Sequence, residues 1–314
     1  MGIFSKKKKL QAGLFLDSGS YRYLAMEKSS SGYSVVDSAA GNAADESSAY
    51  GDTSVTSKRS VNAVFKDLAS SAADITVPIA VSLPTTDYLI RIVNMPGMTL
   101  QEAKLAFRYE FENYFPFPLE EGIFDLAEID YPMPSKVSEK RFIAAAARLS
   151  LIDTVMSAAS DNGIMLSAIE PAQIALERCA TPSVSPCDAA VHLYVGRKRS
   201  VLTLSWKGNG IFYRSMSIGF DESLALHPDE LTDQSVAFVK EMRSSLQFAL
   251  SQIRGFEPES IFLHGPGVTD ELLELLRDSV SVGSISQINC FTLQGIDFND
   301  ATGNWDVALG LAMR

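Results

Sequence analysis

One rhythm occurs twice in this chain. Leu14–Glu27 reads LFLDSGSYRYLAME, and Leu193–Arg214 reads LYVGRKRSVLTLSWKGNGIFYR. In each, an apolar run of strand length meets a short turn built around a glycine, and a second strand returns. A third run follows both, Tyr33–Asp37 in the first half and Gly210–Met216 in the second. Three strands joined by short turns make a meander. A meander repeated after intervening helices and strands points to two α/β units, each burying one sheet against its helices. The halves share this plan and almost no residue identities.

Between and after the meanders the pattern alternates. Residues 38–58 lack large apolar groups and read as a loop or weakly ordered segment. Val61, Val64, Phe65 and Leu68 recur at helical spacing. Ile75–Leu83 is a strand stopped by Pro84. Residues 86–165 then read as an insert: a strand at Tyr88–Val93, a helix from Thr99 to about Tyr114, strands at Phe124–Tyr131 and Arg141–Ala147, and a helix at Ser150–Asn162. Thr99 and Glu102 have the spacing of a capping box, and Phe115-Pro116-Phe117-Pro118 cannot continue the helix. A strand at Leu166–Glu170 and a helix at Pro171–Cys179 complete the first half. The second adds a helix at Leu231–Ile253, a strand at Ser260–Leu263 and helices at Thr269–Asp278 and Trp305–Met313. The division predicted is 1–85 with 166–188 as a first lobe, 86–165 as an insert, and 189–314 as a second lobe.

Bulk chemistry excludes several roles. A formal net charge of -11 disfavours nucleic acid, whose phosphates need a basic face. Cys179, Cys187 and Cys290 contain no CxxC pair, and no cysteine–histidine cluster is expected, which points to a reducing compartment and no structural zinc. No run approaches the roughly 18 apolar residues of a membrane span, so a soluble protein is expected. Lys6–Lys9 is either a solvated tail or a weak contact with an anionic membrane surface.

Four stretches, in this order, carry a family resemblance: MGIFSKKKKLQAGLFLDSGSYRYLAMEK, VNMPGMTLQEAKLAFRYEFENYFPFPLEEGIFDLAEI, DNGIMLSAIEPAQIALERC and VALGLAMR. Together they resemble the PilM/FtsA branch of the actin-like ATPase superfamily, over nearly the whole chain. The resemblance implies an α/β, actin-like (ribonuclease H-like) two-lobe fold with an inserted small α+β subdomain. It implies a cytoplasmic scaffold of a type IV pilus machine, peripheral to the inner membrane. Its partner would be the N-terminal tail of a PilN-like protein, with PilO/PilP-like proteins and the pilus motor ATPases reached indirectly. Self-association is left open. An FtsA-like filament former would continue into an amphipathic membrane helix, and a GspL-like secretion component into a transmembrane span. An active ATPase or sugar kinase of the same fold is the other alternative.

The resemblance also nominates residues. Asp17, Ser18, Gly19 and Ser20 stand where a first phosphate loop would hold ATP, with Asp17 facing Mg2+ through water. A tight turn without a ligand accounts for the same four residues. Gly196 and Arg197 stand in the second phosphate loop, but Tyr194 occupies the place of the expected acid. Loss of that oxygen points to weak or absent hydrolysis. Glu170 aligns with a cleft-facing glutamate of DnaK-type chaperones and is, with Asp17, a weak catalytic candidate; a carboxylate near a helix start is the plainer reading. Gly265 and Gly267 match the adenosine-side loop, and Lys240 and Ser244 share a helix face near the nucleoside position. For the peptide, Phe107, Phe111, Tyr114 and Phe115 with Ile90 and Ile92 are expected to wall a groove at the seam of insert and first lobe. The competing reading is that the rings are core.

Overall fold

The computed structural model describes residues 9–17, 20–30, 32–42, 58–72, 75, 77–130, 139–181, 188–220, 228–253, 255–298 and 305–314. The first half contains β1 (Lys9–Asp17), β2 (Ser20–Ser29), β3 (Gly32–Asn42), α1 (Lys58–Ser71) and β4 (Ile79–Ser82). Then come β5 (Tyr88–Pro96), α2 (Leu100–Tyr114), β6 (Gly122–Glu128), β7 (Glu139–Arg148), α3 (Leu149–Asp161), β8 (Leu166–Ile169) and α4 (Ala172–Ala180). The second half contains β9 (Ala189–Val195), β10 (Ser200–Trp206), β11 (Asn209–Met216), α5 (Pro228–Gln252), β12 (Ser260–His264), α6 (Asp270–Ser279), β13 (Ser284–Gln287), α7 (Cys290–Leu293) and α8 (Asp306–Ala312).

The two large sheets are copies of one plan. The first runs β3-β2-β1-β4-β8 and the second β11-β10-β9-β12-β13. In both, the three meander strands are antiparallel, while the first strand pairs in parallel with the fourth and the fourth with the fifth. This is the ribonuclease H-like sheet used twice, the actin-like fold. Strands β4 and β9 are buried along their whole length, which is why they are largely apolar, interrupted only by Ser82 and His192.

Three elements depart from the sequence reading. Residues 38–42, expected as loop, extend β3 and pair with Ser20–Leu24 of β2. They are small or polar because they lie on an edge strand, where pairing with a formed neighbour outweighs weak propensity. The rest of that expected loop, 43–57, lies outside the described residues, as does the basic block up to Lys8. The short β13 and α7 had no sequence signal beyond a few apolar residues.

Helices α4 and α8 lie between the sheets. Although α4 ends the first half, it packs on β9, β10 and β11; α8, which ends the second half, packs on β1, β2 and β4. They cross at Gly310, where a Cβ would collide with the Ala175 carbonyl, and a Cβ at Gly13 of β1 would strike the Ala308 carbonyl. The VALGLA sequence of α8 is thus a run of small and apolar groups that lets three backbones approach. Glu177 of α4 is buried, accepts hydrogen bonds from Gly210 N and the Tyr213 hydroxyl of β11, and has its pKa raised by burial.

The insert sheet runs β5-β7-β6 and is covered by α2. The expected capping box is formed: Glu102 N donates to Thr99 Oγ1 at 3.3 Å, and Thr99 N donates to Glu102 Oε2 at 2.8 Å. Helix α3, read from sequence as part of the insert, places Val155, Ala158 and Ala159 in the core of the first sheet together with Phe65 and Leu68 of α1.

His192 of β9 gives this core a measurable pH dependence. Its ring is buried against Phe262 at 5.5 Å, and its Nδ1 has no hydrogen-bond partner. Burial, and secondarily the charge of His264, push its pKa down to about 3. A depressed folded-state pKa stabilises fully above the unfolded value of about 6.5 and progressively less as pH falls towards 3. Urea unfolding at a series of pH values is expected to show this loss, with a slope of up to about 1.4 kcal/mol per pH unit from this group. His192→Phe is expected to flatten the slope between pH 6.5 and 4, as titration of one imidazole ceases.

Candidate functional site

Strand β6 is one edge of the insert sheet and β8 is one edge of the first large sheet. Between them runs a groove of about 480 Å³. Alternation along β6 sends Phe124 and Leu126 towards the insert core and turns Ile123 and Asp125 to the other face, which looks into the groove. The opposite wall comes from Leu166–Ile169 of β8 and from Ile152 and Met156 of α3. Ala145, Ala146 and Ala147 of β7 form part of the lining, and their methyl groups leave the room that larger side chains would fill. At the rim Met156 is 54 % exposed and Ile123 44 % exposed, an apolar pair left to solvent. Neither β6 nor β8 has a strand partner on its outer side among the described residues. Open strand edges beside an apolar channel suit an extended peptide: backbone groups pair with the edges, and alternate side chains enter the channel.

The rings expected to line this seam lie elsewhere. Phe107, Phe111 and Phe115 are buried in the insert's own core. Phe107 meets Phe111 edge-on at 6.2 Å and Phe124 at 5.2 Å, and Tyr114 is half-buried against the same cluster. The spacing of these phenylalanines at every fourth residue puts Phe107, Phe111 and the C-cap residue Phe115 on one side of α2, where a three-stranded sheet suffices to cover them. They are therefore unavailable to a peptide, a correction to the sequence reading. Ile90 and Ile92 are half-buried on β5 and line a second groove, of about 460 Å³, against Phe212 and Phe248 of the second lobe.

The glycine loops meet at the carboxyl ends of β9 and β12. Gly267 N donates to Val195 O at 2.8 Å, and Phe220 N donates to Gly196 O at 2.9 Å. A Cβ on Gly265, whose φ is +101°, would press on Val195 O and the Tyr194 ring; one on Gly267 would press on Phe220 O. The missing side chains thus allow backbone to pack on backbone. Gly265 also lines a cavity of about 400 Å³ with Asn289, Phe298, Trp305 and Asp306. Arg22 of β2, close to the first hairpin turn, places its guanidinium 5.7 Å from the Trp305 ring. Both Arg22 Nε and Trp305 Nε1 are buried without a hydrogen-bond partner. Neither residue stood out in the sequence, since each reads as an ordinary member of its strand or helix.

Other expected nucleotide residues are dispersed. Asp17 pairs with Ser20 across the hairpin, while Ser18 and Gly19 lie outside the described residues, as does the Asp17 side chain. Arg197 is exposed beside buried Gly196. Lys240 and Ser244 are exposed on α5 and share a depression with Leu275 and Ser279 of α6, away from the lining of the Gly265 cavity. The expected absence of a cysteine–histidine cluster is also overturned: Cys179, His264 and Cys290, distant in sequence, converge in the core.

Glu170 has no free basic oxygen. Arg178 donates to Oε1 at 2.7 Å and Oε2 at 3.2 Å, and Arg314 donates to Oε2 at 3.1 Å. Arg178 also donates to Gly310 O at 2.6 Å, so the cluster ties the end of β8 to α4 and α8. The candidate water-orienting acid is a structural clamp. Glu170→Ala is expected to cost about 1–3 kcal/mol in urea unfolding, because it leaves a half-buried guanidinium unpaired. Glu170→Gln should retain part of that stability through its remaining acceptor.

Comparison with known proteins follows the geometry. No curated protein matches the chain in sequence. Among solved structures, the PilM-PilN type IV pilus biogenesis complex superposes with a TM-score of 0.76 at 20% identity, over 96% of this chain and 97% of that one. The cytoplasmic domain of EpsL, an inner membrane component of the type II secretion system of Vibrio cholerae, superposes at 0.53 with 9% identity, covering 91% and 93%. The ethanolamine utilization protein EutJ from Carboxydothermus hydrogenoformans gives 0.52 with 8% identity, covering 97% and 89%. These likenesses confirm the actin-like fold. The family model for type IV pilus assembly protein PilM matches residues 13–219, well over half of the 314 residues. The chain belongs to the PilM family of type IV pilus assembly proteins.

Proposed function

We propose that this protein is a cytoplasmic scaffold of a type IV pilus assembly machine, and that the groove between β6 and β8 holds the extended N-terminal tail of a PilN-like inner-membrane protein. One observation carries the reading: an apolar channel flanked by two strand edges that have no outer partner among the described residues. A peptide bound there would bridge the insert and the first lobe. The protein would thereby sit at the inner membrane through its partner, since among the described residues no helix is long and apolar enough to cross a membrane. PilO/PilP-like proteins and the motor ATPases would be reached through that partner. The membership in the PilM family and the likeness to a PilM-PilN complex support this assignment.

Titration of the protein with a labelled N-terminal peptide of its cognate PilN-like protein tests the proposal. Saturable binding is expected, with Ile123→Asp or Met156→Asp weakening it at least about tenfold, or 1.4 kcal/mol. Both side chains are largely exposed, so the fold should tolerate the changes. Absence of saturable binding, or binding indifferent to both variants, would place the function elsewhere.

A second reading rests on the cavity beside Gly265. Trp305 lines this cavity and Arg22 lies against the Trp305 ring; their unpartnered nitrogens are donors that phosphate or ribose oxygens would satisfy, so ATP with Mg2+ is the proposed ligand. Tyr194 packs edge-on against His264 at 5.5 Å in the place of the usual acid, which supports binding without efficient turnover. Calorimetry with ATP and Mg2+ is expected to show binding that Arg22→Ala weakens, and a phosphate-release assay to show turnover near background. Rapid phosphate release would make the protein an enzyme; no heat of binding would leave the fold as scaffold alone.

A further inference from the structure

The Cys179–His264–Cys290 cluster plays no part in either proposed activity. Cys179 closes α4, His264 closes β12, Cys290 opens α7, and Asp306 opens α8. One ligand atom from each of Cys179, His264 and Cys290 lies within 4.8 Å of the others, and all three residues are buried. His264 Nδ1 lies 3.4 Å from Cys290 Sγ and 2.7 Å from Asp306 Oδ2.

We propose that Cys179, His264 and Cys290 form a binding site for a soft divalent cation of the zinc type, with its fourth position facing the cavity beside Gly265. The donor set suits that class: two sulfurs and one imidazole nitrogen are ligands such a cation prefers, water would complete four-coordination, and His264 Nδ1 would exchange its hydrogen bond to Asp306 for the metal. Zinc–sulfur and zinc–nitrogen bonds of about 2.3 and 2.0 Å at a tetrahedral angle separate the two ligands by roughly 3.5 Å. The observed 3.4 Å between Cys290 and His264 is that separation. A hydrogen-bonded His264–Asp306 pair by itself gives no reason for two thiols to converge on it. Cys290 and Asp306 also line the cavity beside Gly265, which provides an entry path. Burial raises the Cys179 thiol pKa, and the hydrogen bond with Cys179 together with burial raises that of Cys290, so the cation would displace protons as it binds. Bound there, it would join elements of both halves at the level of the α4–α8 layer, independently of peptide or nucleotide.

Cobalt(II) titration of the full chain under a non-thiol reductant tests the site. One equivalent is expected to give thiolate-to-metal charge-transfer absorption and the intense visible bands of four-coordinate cobalt, and zinc should displace it. Cys179→Ser and Cys290→Ser should each reduce the charge-transfer intensity by roughly half, as one of two sulfur donors is removed. Should the serine variants fail to fold, alkylation of the unsubstituted protein decides: zinc should slow modification of Cys179 and Cys290, read by peptide mass spectrometry. No charge-transfer absorption, a spectrum unchanged in both serine variants, or alkylation rates indifferent to zinc would overturn the proposal.

Discussion

The crossing of α4 and α8 is the contact on which the molecule depends. Each helix ends one half of the chain and packs on the sheet of the other, so one face of each sheet is covered only when both halves are present. The approach is close enough that Gly310 admits no side chain against Ala175, and Arg178 and Glu170 pin the same layer with charged hydrogen bonds. The cavity beside Gly265 and the Cys179–His264–Cys290 cluster both border this layer. A change there would reach both lobes, because the shared helices leave no boundary at which it could stop.

The insert obeys a different constraint. Its sheet has three strands, and α2 covers one face with a stripe of phenylalanines that closes without help from the lobes. The two edges of that sheet are left beside other edges, β6 near β8 and β5 near β11, with a groove at each meeting. Open edges carry unpaired backbone groups, which makes them either a liability or a recognition surface. The alanine-rich strand β7 favours recognition at the β6–β8 seam, since it keeps apolar space where a packed core would have filled it.

Much of the architecture was legible because it rests on local chemistry. The two meanders announce themselves through apolar runs and glycine turns, and Thr99 with Glu102 marks the start of α2. Strand β3 beyond Asp37 and strand β13 were not legible, since both take their conformation from a neighbouring strand rather than from their own residues. The phenylalanines of α2 were seen but misplaced: their density suggested a surface, whereas their spacing of four placed them on a single inward face. Glu170 looked available in the sequence because Arg178 is on the next helix and Arg314 at the far end of the chain.

The sequence by itself determined the repeated three-strand meander and the family, both of which follow from short-range periodicity and ordered motifs. Tertiary structure alone decided which groups face one another. The groove of β6, β7 and β8, the contact of Arg22 with cavity-lining Trp305, and the thiol–imidazole cluster each join residues far apart in the chain. Side-chain periodicity records which face of an element is buried; it holds no information about which other face it is buried against.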